Sequence, residues 1–281
     1  MSIPVFKIES ETLAEAWEKA VLRVWRQGVK KLTQYVLTGG RKPAYQKSRA
    51  ATALIVVSKP LKEPRIHAGD TIGQQSIRSG YIDEILDGTK DFYVEKGKWD
   101  YTYHERLVKY NVPSLPPLDQ LTQMVEALKR GQLFSRRLQA VTWQAWKDPD
   151  LESPPCFQRI WVTVPTEDLK PKRGASYKIN VQTCWRSRDL FDAWGANVNA
   201  MVELCRRKIV EPLNEKFESS GVKFEVGQYV DFSNDLHIYE KDFKQVREFR
   251  AILKKKLASG KRPGDVRRGP DIQTLINLGK T

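Results

Sequence analysis

The hydrophobic pattern of this chain changes repeatedly between the period of a helix and the period of a strand. Residues 11–29 and 118–131 carry apolar side chains at helical spacing, so both segments are predicted to be helices. Residues 159–164 and 177–184 instead alternate apolar with polar side chains, as strands with one buried face do. Because helices and strands follow one another along the chain, their order predicts a mixed α/β or α+β fold. A length of 281 residues is enough for one sizeable core, or for two small ones.

Basic residues are concentrated in the last part of the sequence. The net charge is +14, and residues 241–281 contain twelve Lys or Arg against four Asp or Glu. Such an excess indicates affinity for anions, which include nucleic acids, acidic membranes and small phosphorylated molecules, and composition does not choose among them. We predict one domain over residues 1–257, followed by a loose basic tail over residues 258–281 with a short apolar turn near Leu275 and Ile276.

Several classes of protein are excluded by what the sequence lacks. No apolar run approaches the roughly 20 residues that span a bilayer, and the N-terminal segment has no secretory signal. The three cysteines are an odd, sparse set, which fits a reducing cytoplasm better than a disulfide framework. There is no Cys-x-x-Cys motif or close His/Cys cluster. We therefore predict a cytoplasmic protein that has no membrane partner and no metal ion.

One cysteine follows two prolines at the start of a predicted strand. Cys156 comes directly after Pro154 and Pro155, which fix the backbone before it. A lone cysteine is most often a small buried hydrophobic residue. The alternative role is that of a nucleophile, which needs a nearby cation or base to lower the pKa of the thiol. Both interpretations stay open on the local sequence alone.

Two clusters of arginine beside serine could supply such a cation or bind a phosphate. Residues 135–137 read Ser-Arg-Arg, and residues 186–189 read Arg-Ser-Arg-Asp. Guanidinium groups match the oxygen geometry of phosphate, although most charged runs are only solvated surface. Further along the chain, His237 and Tyr239 are spaced by two residues, so on an extended segment their polar tips point to the same face.

The order of these motifs resembles that of the thymidylate synthase family. Ser-Arg-Arg, Pro-Pro-Cys, Arg-Ser-x-Asp followed by an asparagine, and Asp-x-His-Ile-Tyr occur in this order over residues from about 101 to 239. The sequences Pro-Pro-Cys-Phe-Gln and Tyr-Thr-Tyr-His-Glu-Arg-Leu look closest to the archaeal and phage-like branches. The resemblance implies a thymidylate synthase-like α/β fold with a large mixed sheet at a homodimer interface, and makes residues 1–257 the catalytic domain.

The resemblance also implies roles for the cysteine and the two arginine clusters. Cys156 matches the nucleophile whose thiolate adds to C6 of a pyrimidine, and Arg186 matches the arginine that contacts both this cysteine and the substrate phosphate. The charge of Arg186 would favour the thiolate. Ser187 matches a hydroxyl that binds the same phosphate. Arg136 and Arg137 match arginines that cross the dimer interface to the phosphate bound in the other protomer.

Further matched residues surround the base, the sugar and the folate. Asp189 matches an aspartate near the base and the folate. Asn197 matches the asparagine that reads the O4/N3 edge of the pyrimidine, and an amide suits uracil because it both donates and accepts. In the deoxycytidylate hydroxymethylase branch this position resembles an aspartate instead. His237 and Tyr239 match the pair that holds the sugar 3′-hydroxyl.

Two candidates come from the upstream part of the chain, where the resemblance is weaker. Glu84 is the candidate for the family glutamate that organises water and moves protons near C4 and C5 of the base. Arg49 is the candidate for the mobile-loop arginine that closes over the phosphate, with Arg41 and Arg65 as alternatives.

The chain also departs from the family pattern. Phe157 stands where many members have histidine, and Trp185 replaces a usual glutamine. The sequence ends in Asn-Leu-Gly-Lys-Thr and lacks the short apolar C-terminal tetrapeptide that closes many synthases over folate. Because that closure shields the intermediate from water, its absence bears on the reductive step.

The leading functional prediction is methylation of dUMP, with 5,10-methylenetetrahydrofolate as carbon donor and reductant. The close alternative is a 5-hydroxymethylase of dUMP, dCMP or CMP, in which water captures the methylene intermediate. A basic protein that binds nucleic acid through its tail is a further alternative, and weak binding of this kind could accompany the enzyme activity. An inactive paralogue is a last alternative, and the intact Cys156, Arg186, Asp189 and Asn197 argue against it.

Overall fold

A single eight-stranded sheet forms the centre of the protein. The structure is a computed structural model, in which residues 2–37 and 44–279 are described. The strands are β1 Val5–Ser10, β2 Val29–Leu37, β3 Ala44–Val57, β4 Gln139–Val141, β5 Phe157–Thr163, β6 Ser176–Trp185, β7 Arg188–Asp189 and β8 Lys223–Tyr239.

The longest strand lies in the middle of this sheet. The strand order is β1-β3-β8-β6-β5-β4, with β2 paired to β3 and β7 paired to β8. Strand β8 runs antiparallel to β3 and parallel to β6, so the sheet is mixed. The prediction of a mixed α/β fold with a large mixed sheet is therefore confirmed.

Helices cover one face of the sheet and connect its strands. Their bounds are α1 Leu13–Gln27, α2 Thr71–Arg78, α3 Tyr81–Asp87, α4 Phe92–Glu95, α5 Tyr103–Val108, α6 Gln120–Lys129, α7 Trp194–Leu204, α8 Glu211–Phe217, α9 Phe243–Ala258, α10 Pro263–Arg267 and α11 Ile272–Leu278. Helix α1 packs against β3, whose residues Ala51, Ala53 and Ile55 are fully buried. No helix in the described ranges has both the length and the apolar character that a bilayer crossing requires.

Most of the predicted elements occur, with shifted ends. The predicted helix over 118–131 is α6, and Gly131 follows it with a φ of +80°, a conformation that glycine adopts without a steric penalty. The strand predicted over 222–232 continues to Tyr239, because β8 is also paired with the long strand β3. His237 and Tyr239 are therefore strand residues of the central sheet.

The helix predicted over residues 190–208 begins later than expected. The side chain of Asp189 accepts hydrogen bonds from the backbone N–H groups of Phe191 and Asp192, each at 3.1 Å. This local turn competes with helix geometry, as aspartate side chains commonly do, so α7 starts only at Trp194. After Leu204 the helix continues through a π-helical turn into α8.

The sheet face opposite the helices carries rows of half-exposed side chains. One row runs across Leu54 of β3, Phe232 of β8, Cys184 of β6 and Arg159 of β5, which are neighbours in the strand register. All four are of intermediate exposure, whereas the alternating residues on the other face are buried. This face is therefore partly apolar, and no helix within the described residues packs on it.

The basic segment 258–281 differs from the loose tail that we predicted. It forms α10 and α11, whose apolar residues Val266, Ile272, Leu275 and Ile276 are buried. Helix α11 packs on α2, and the Arg267 guanidinium lies 2.9 Å from the Glu18 carboxylate of α1. The predicted apolar turn is thus a helix. The prediction missed it because the surrounding Gly, Lys and Arg obscured the pattern of four spaced apolar residues.

The packing of α11 predicts a stability difference between two leucines of the same helix. Leu275 is fully buried, whereas Leu278 is 53% exposed. We expect Leu275→Ala to lower the free energy of unfolding by about 2–5 kcal/mol, because the substitution leaves a cavity between α11 and α2. We expect Leu278→Ala to change it by less than about 1 kcal/mol. Urea denaturation followed by circular dichroism measures both, and equal effects would mean that α11 does not pack on the domain.

Candidate active site

The pairing of β5 with β6 brings Cys156 next to Arg186. Phe157 is the register partner of Trp185, and the two strands are antiparallel, so the residues just beyond them are also opposite each other. The backbone N–H of Arg186 donates to the Cys156 carbonyl oxygen at 2.9 Å. Two residues that are 30 positions apart in the sequence thereby become neighbours at one end of the strand pair.

The Arg186 side chain also holds the backbone just before the cysteine. Its Nε donates to the Pro155 carbonyl at 2.9 Å, and its Nη2 donates to the Pro154 carbonyl at 2.5 Å. A proline has no N–H to donate, but its carbonyl oxygen remains an acceptor, and the Pro155 carbonyl also accepts from Gln158 Nε2 at 2.8 Å. The guanidinium therefore has a fixed position beside Cys156.

The environment of the cysteine acts on its acidity in two directions. Burial raises the pKa of the Cys156 thiol above its usual value, and the cations Arg186 and Arg188 oppose this rise. The thiol is therefore mainly protonated in the free protein at neutral pH. A further desolvated cation beside the thiol would increase the thiolate fraction, and loss of Arg186 or Arg188 would decrease it.

A cleft of about 280 Å³ opens beside Cys156, and five of the predicted site residues line it. Its walls include the predicted site residues Cys156, Arg186, Ser187, His237 and Tyr239. The hairpin segment of β2 forms another wall, which the sequence did not indicate. The residues that the structure adds to the cleft include Lys31, Tyr35, Ser48, Tyr101, Ser153 and Asp235.

His237 presents one free nitrogen in this cleft. Its Nδ1 lies 3.1 Å from the Asp235 carbonyl oxygen, which can only accept, so Nδ1 carries the proton of the neutral ring. Its Nε2 is buried and has no partner among the described residues, so it remains an acceptor. The Tyr239 ring packs edge-on against the imidazole at 4.4 Å. This pair can therefore hold a hydroxyl group.

Asp189 lies between the cysteine and a second, larger cavity of about 720 Å³. The pKa of Asp189 is raised by burial and by nearby Asp192. Carboxylate oxygens of Asp189, Asp192 and Asp242 lie within 4.8 Å of one another, and the Lys241 ammonium pairs with Asp192 and Asp242. Burial, with the neighbouring carboxylates, raises the pKa of Asp242 to about 6. Asp192 and Asp242 line the larger cavity and form an acidic rim beside Asp189.

The remainder of that cavity is mostly apolar and aromatic. Its lining includes His67, Ile72, Phe191, Phe249 and Leu253. The rings of Phe249 and His67 meet edge-on at 5.4 Å. Such a surface suits a flat ring system. No sequence pattern indicated this cavity, because its walls come from α2, α9 and the turn after β7.

Asn197 belongs to a buried hydrogen-bond chain behind the cleft. Its Oδ1 accepts from Arg188 Nη1 at 3.1 Å, and its Nδ2 donates to the Tyr81 hydroxyl at 2.5 Å. Arg188 is only 2% exposed, and its Nη2 donates to Asp231 Oδ2 at 2.9 Å. Tyr81 was not singled out from the sequence, and Arg188 was named only as a member of the Arg-Ser-Arg-Asp cluster.

Besides Asp189 and Asn197, four further predicted site residues lie outside the cleft. Arg136 and Arg137 are exposed and form no ion pair within the described ranges; the Trp161 indole N–H donates to the Arg136 carbonyl at 3.2 Å. Glu84 lies on α3, where its carboxylate is 2.9 Å from Lys90 Nζ. From the same helix it is Tyr81 that contacts Asn197.

The structure places Arg49, the fourth of these residues, away from any phosphate position in the cleft. Its Nη1 donates to the Trp25 carbonyl at 2.5 Å and its guanidinium lies 4.9 Å from the Trp25 ring, whereas the preceding residue, Ser48, lines the cleft. Alternation along β3 explains this, because adjacent strand residues face opposite sides. Of the alternatives, Arg65 forms a buried ion pair with Glu203 at 2.6 Å, and Arg41 lies outside the described residues.

The position of Arg186 predicts a measurable change in thiol reactivity. We expect Arg186→Met to slow alkylation of Cys156 by iodoacetamide at pH 8 by about threefold or more, because loss of the cation raises the thiol pKa further. In both proteins the rate should rise with pH, with the midpoint of the variant at the higher pH. Mass spectrometry of the peptide that contains Cys156 separates its rate from those of the other cysteines. The control Arg49→Met should react like the wild type; an unchanged rate in Arg186→Met would contradict the electrostatic role.

Comparison with known proteins agrees with this geometry. The family model described as thymidylate synthase matches residues 80–259. A putative thymidylate synthase of Methanothermobacter marburgensis is 23% identical over 254 residues, which cover 86% of this chain and 97% of the relative. A putative thymidylate synthase of Methanopyrus kandleri is 26% identical over 228 residues, which cover 80% of this chain and 92% of the relative.

A solved structure shows the same fold. The thermostable thymidylate synthase A from Bacillus subtilis superposes with a TM-score of 0.51, at 15% sequence identity, over 84% of this chain and 83% of that chain. The predicted resemblance, which rested on motif order, is thereby confirmed, and the archaeal relatives agree with the branch indicated by the sequence. With the family model matching more than half of its residues, this chain belongs to the thymidylate synthase family.

Proposed function

We propose that this protein transfers a one-carbon unit from 5,10-methylenetetrahydrofolate to C5 of a pyrimidine nucleoside monophosphate. The observation that carries the proposal is the cleft in which Cys156 and Arg186 lie together with His237 and Tyr239. A nucleophile, a phosphate-binding cation and a pair of hydroxyl-binding side chains are the groups that such a nucleotide requires.

Four residues of the cleft have defined tasks in this reaction. The Cys156 thiolate forms a bond to C6 of the base, and the electron pair that this addition moves makes C5 nucleophilic. C5 then attacks the methylene carbon of the folate. Loss of the C5 proton and cleavage of the bond between this carbon and folate N5 release tetrahydrofolate and leave an exocyclic methylene group at C5. Addition of a hydride from the tetrahydrofolate, or of hydroxide from water, to this group then expels the Cys156 thiolate from C6. Arg186 and Ser187 bind the phosphate, and His237 Nε2 accepts from a sugar hydroxyl. The folate supplies the carbon and, for methylation, the hydride.

The larger cavity supports the position of the folate. It adjoins Asp189 through the acidic rim, and its aromatic walls suit a pteridine and an aminobenzoyl ring. Buried carboxylates such as Asp242 can accept hydrogen bonds from ring N–H groups. Asp189 would thus contact both substrates, as the resemblance implied.

The half-exposed face of the sheet supports the proposed homodimer. Val230, Gln182 and Trp161 form a second cross-strand row beside Phe232 and its neighbours. A partly apolar sheet face that no helix covers suits a second copy of the same face. Trp161 contacts the backbone of Arg136, so the exposed arginine pair would lie at the edge of this interface and could reach the partner's cleft. The prediction of weak nucleic-acid binding by the basic surface remains a separate proposal.

The product identifies the reaction. We expect mass spectrometry to detect a C5-modified nucleotide when the protein is incubated with 5,10-methylenetetrahydrofolate and dUMP, dCMP or CMP, each in a separate reaction. A methylated product with dihydrofolate formed indicates a synthase, and a hydroxymethylated product with tetrahydrofolate released indicates a hydroxymethylase. Cys156→Ala should abolish turnover, because no other cysteine among the described residues lines the cleft. Turnover that survives this substitution would refute the mechanism.

A mixing experiment tests whether the arginines act across a dimer. We expect Arg136→Ala/Arg137→Ala and Cys156→Ala each to be nearly inactive alone. When the two proteins are denatured and refolded together, about a quarter of wild-type activity should return, since a mixed dimer then contains one complete site. Light scattering checks the dimer mass, and a mixture of Cys156→Ala with Arg186→Met, whose lesions fall in the same site, serves as the control. No recovery in the first mixture would place the arginines outside the partner's site.

A further inference from the structure

We propose that the Ser48 hydroxyl binds the 2′-hydroxyl of the substrate's sugar, and that the cleft therefore favours ribonucleotides over deoxyribonucleotides. The inference rests on the proposed one-carbon transfer to a pyrimidine nucleotide and names the sugar of that substrate. It is carried by a second unpaired polar atom in the wall of the cleft, in addition to His237 Nε2.

Strand pairing places Ser48 next to the pair that can hold a hydroxyl group. Ser48 of β3 is the register partner of Tyr239 of β8, and on its other side it is the partner of Lys31 of β2. Directly opposite residues of an antiparallel ladder carry their side chains on the same face, with Cβ atoms about 4.5–5.5 Å apart. His237 lies two residues before Tyr239 and so shares this face. These four residues therefore form one wall of the cleft.

The Ser48 hydroxyl is an exception among the aliphatic hydroxyls of β2 and β3. Ser48 is only 1% exposed, and its Oγ has no hydrogen-bond partner among the described residues. Two threonines of these strands are satisfied, since Thr33 donates to the Gln46 carbonyl at 3.0 Å and Thr52 donates to the Asn234 carbonyl at 2.8 Å. An unpaired buried hydroxyl destabilises a protein, so one in the wall of a cleft indicates a partner that a ligand supplies.

The charged groups at this end of the cleft neutralise each other. The Lys31 ammonium pairs with the Asp235 carboxylate, and this carboxylate also lies 3.3 Å from His237 Nδ1. Among the described residues, this end of the cleft therefore offers no uncompensated cation to a second phosphate. It offers instead an imidazole, a phenol and a serine hydroxyl, which are groups that suit the hydroxyls of a sugar.

His237 and Tyr239 satisfy one hydroxyl and leave Ser48 for another. The neutral imidazole offers only an acceptor, at Nε2. The Tyr239 hydroxyl keeps its proton and can donate, because burial raises the pKa of this phenol well above its usual value. Together the two match the donor and one acceptor site of a 3′-hydroxyl. Ribose carries its 2′-hydroxyl on the adjacent carbon and on the same side of the ring, so the two hydroxyls can contact His237 and Ser48 at once.

A deoxyribonucleotide leaves the Ser48 hydroxyl without a partner. A site built to bond a substrate hydroxyl disfavours the analogue that lacks it, because its own polar group then stays buried and unpaired. An arabinose nucleotide has the same defect, since its 2′-hydroxyl lies on the side of the ring opposite the 3′-hydroxyl. Among the substrates predicted from the sequence, CMP is therefore the one that this wall fits.

Nucleotide binding without folate tests this inference independently of turnover. Isothermal titration calorimetry of the full chain with CMP, dCMP and the arabinose nucleotide of cytosine should give a dissociation constant for CMP that is at least about tenfold lower than the other two, the effect of about one matched hydrogen bond. UMP and dUMP repeat the comparison on the other base, which separates the effect of the sugar from that of the base. These measurements on the wild type do not depend on the folding of any variant.

A serine variant separates recognition of the sugar from general damage to the cleft. Ser48→Ala removes only Oγ, and it should weaken the binding of CMP and UMP by about tenfold while the binding of dCMP and dUMP changes by less than about twofold. The matched control Ser58→Ala, which alters an exposed serine just after β3, should leave every dissociation constant unchanged.

The inference and the proposed function fail in different ways. An equal loss for both sugars in Ser48→Ala would overturn the inference and leave the proposed reaction intact. A wild type that binds the deoxyribonucleotides or the arabinose nucleotide as tightly as the ribonucleotides would do the same. Binding of no pyrimidine nucleotide would overturn the proposed function, and this inference with it.

Discussion

The register between β5 and β6 is the constraint on which the candidate site depends. The ladder sets Phe157 opposite Trp185. Cys156, just before Phe157, and Arg186, just after Trp185, therefore meet at the end of the strand pair. A slip of one residue would turn every side chain of one strand to the opposite face of the sheet. The slip is disfavoured because it would expose Ile160 and Val162 of β5, which are fully buried. The hydrophobic core thus holds Cys156 and Arg186 together.

The sequence predicted the parts of the fold that are set by local periodicity. The alternation over 159–164 and 177–184 located β5 and β6, and the helical spacing over 118–131 located α6. Motif order brought together Cys156 and Arg186, and the structure places them in one cleft. These features succeed because each depends on residues that are close in the chain or on a pattern shared by a family.

The parts that could not be predicted depend on contacts between distant segments. Helices α10 and α11 pack on α1 and α2, respectively, and Leu275 of α11 is fully buried. Arg49 lies outside the cleft because side chains alternate along β3, which places Arg49 on the face opposite that of Ser48. Tyr81 reaches Asn197 across 116 positions of sequence, and no local pattern marks such a bond. Burial and strand pairing determine these positions, and a single sequence does not show which distant segments will be in contact.

The buried ion pairs of this protein serve geometry more than stability. Arg188 with Asp231, and Arg106 with Asp148, are almost completely removed from water. Desolvating two charges costs about as much as their attraction returns, so apolar residues of equal volume would stabilise a core as well. What the charged pairs add is direction, because the fork of a guanidinium fixes the angle of each partner.

The position of β8 in the sheet has a consequence for the folding of the nascent chain. This central strand, residues 223–239, joins β3 to β6, yet it is the last of the described strands to leave the ribosome. Until β8 has been synthesised, β3 and β6 each have an exposed edge of unpaired backbone N–H and C=O groups. Pairing over a separation of some 180 residues is slow compared with local helix formation. Between the synthesis of β6 and that of β8, the nascent polypeptide therefore contains two unpaired strand edges, which favour aggregation.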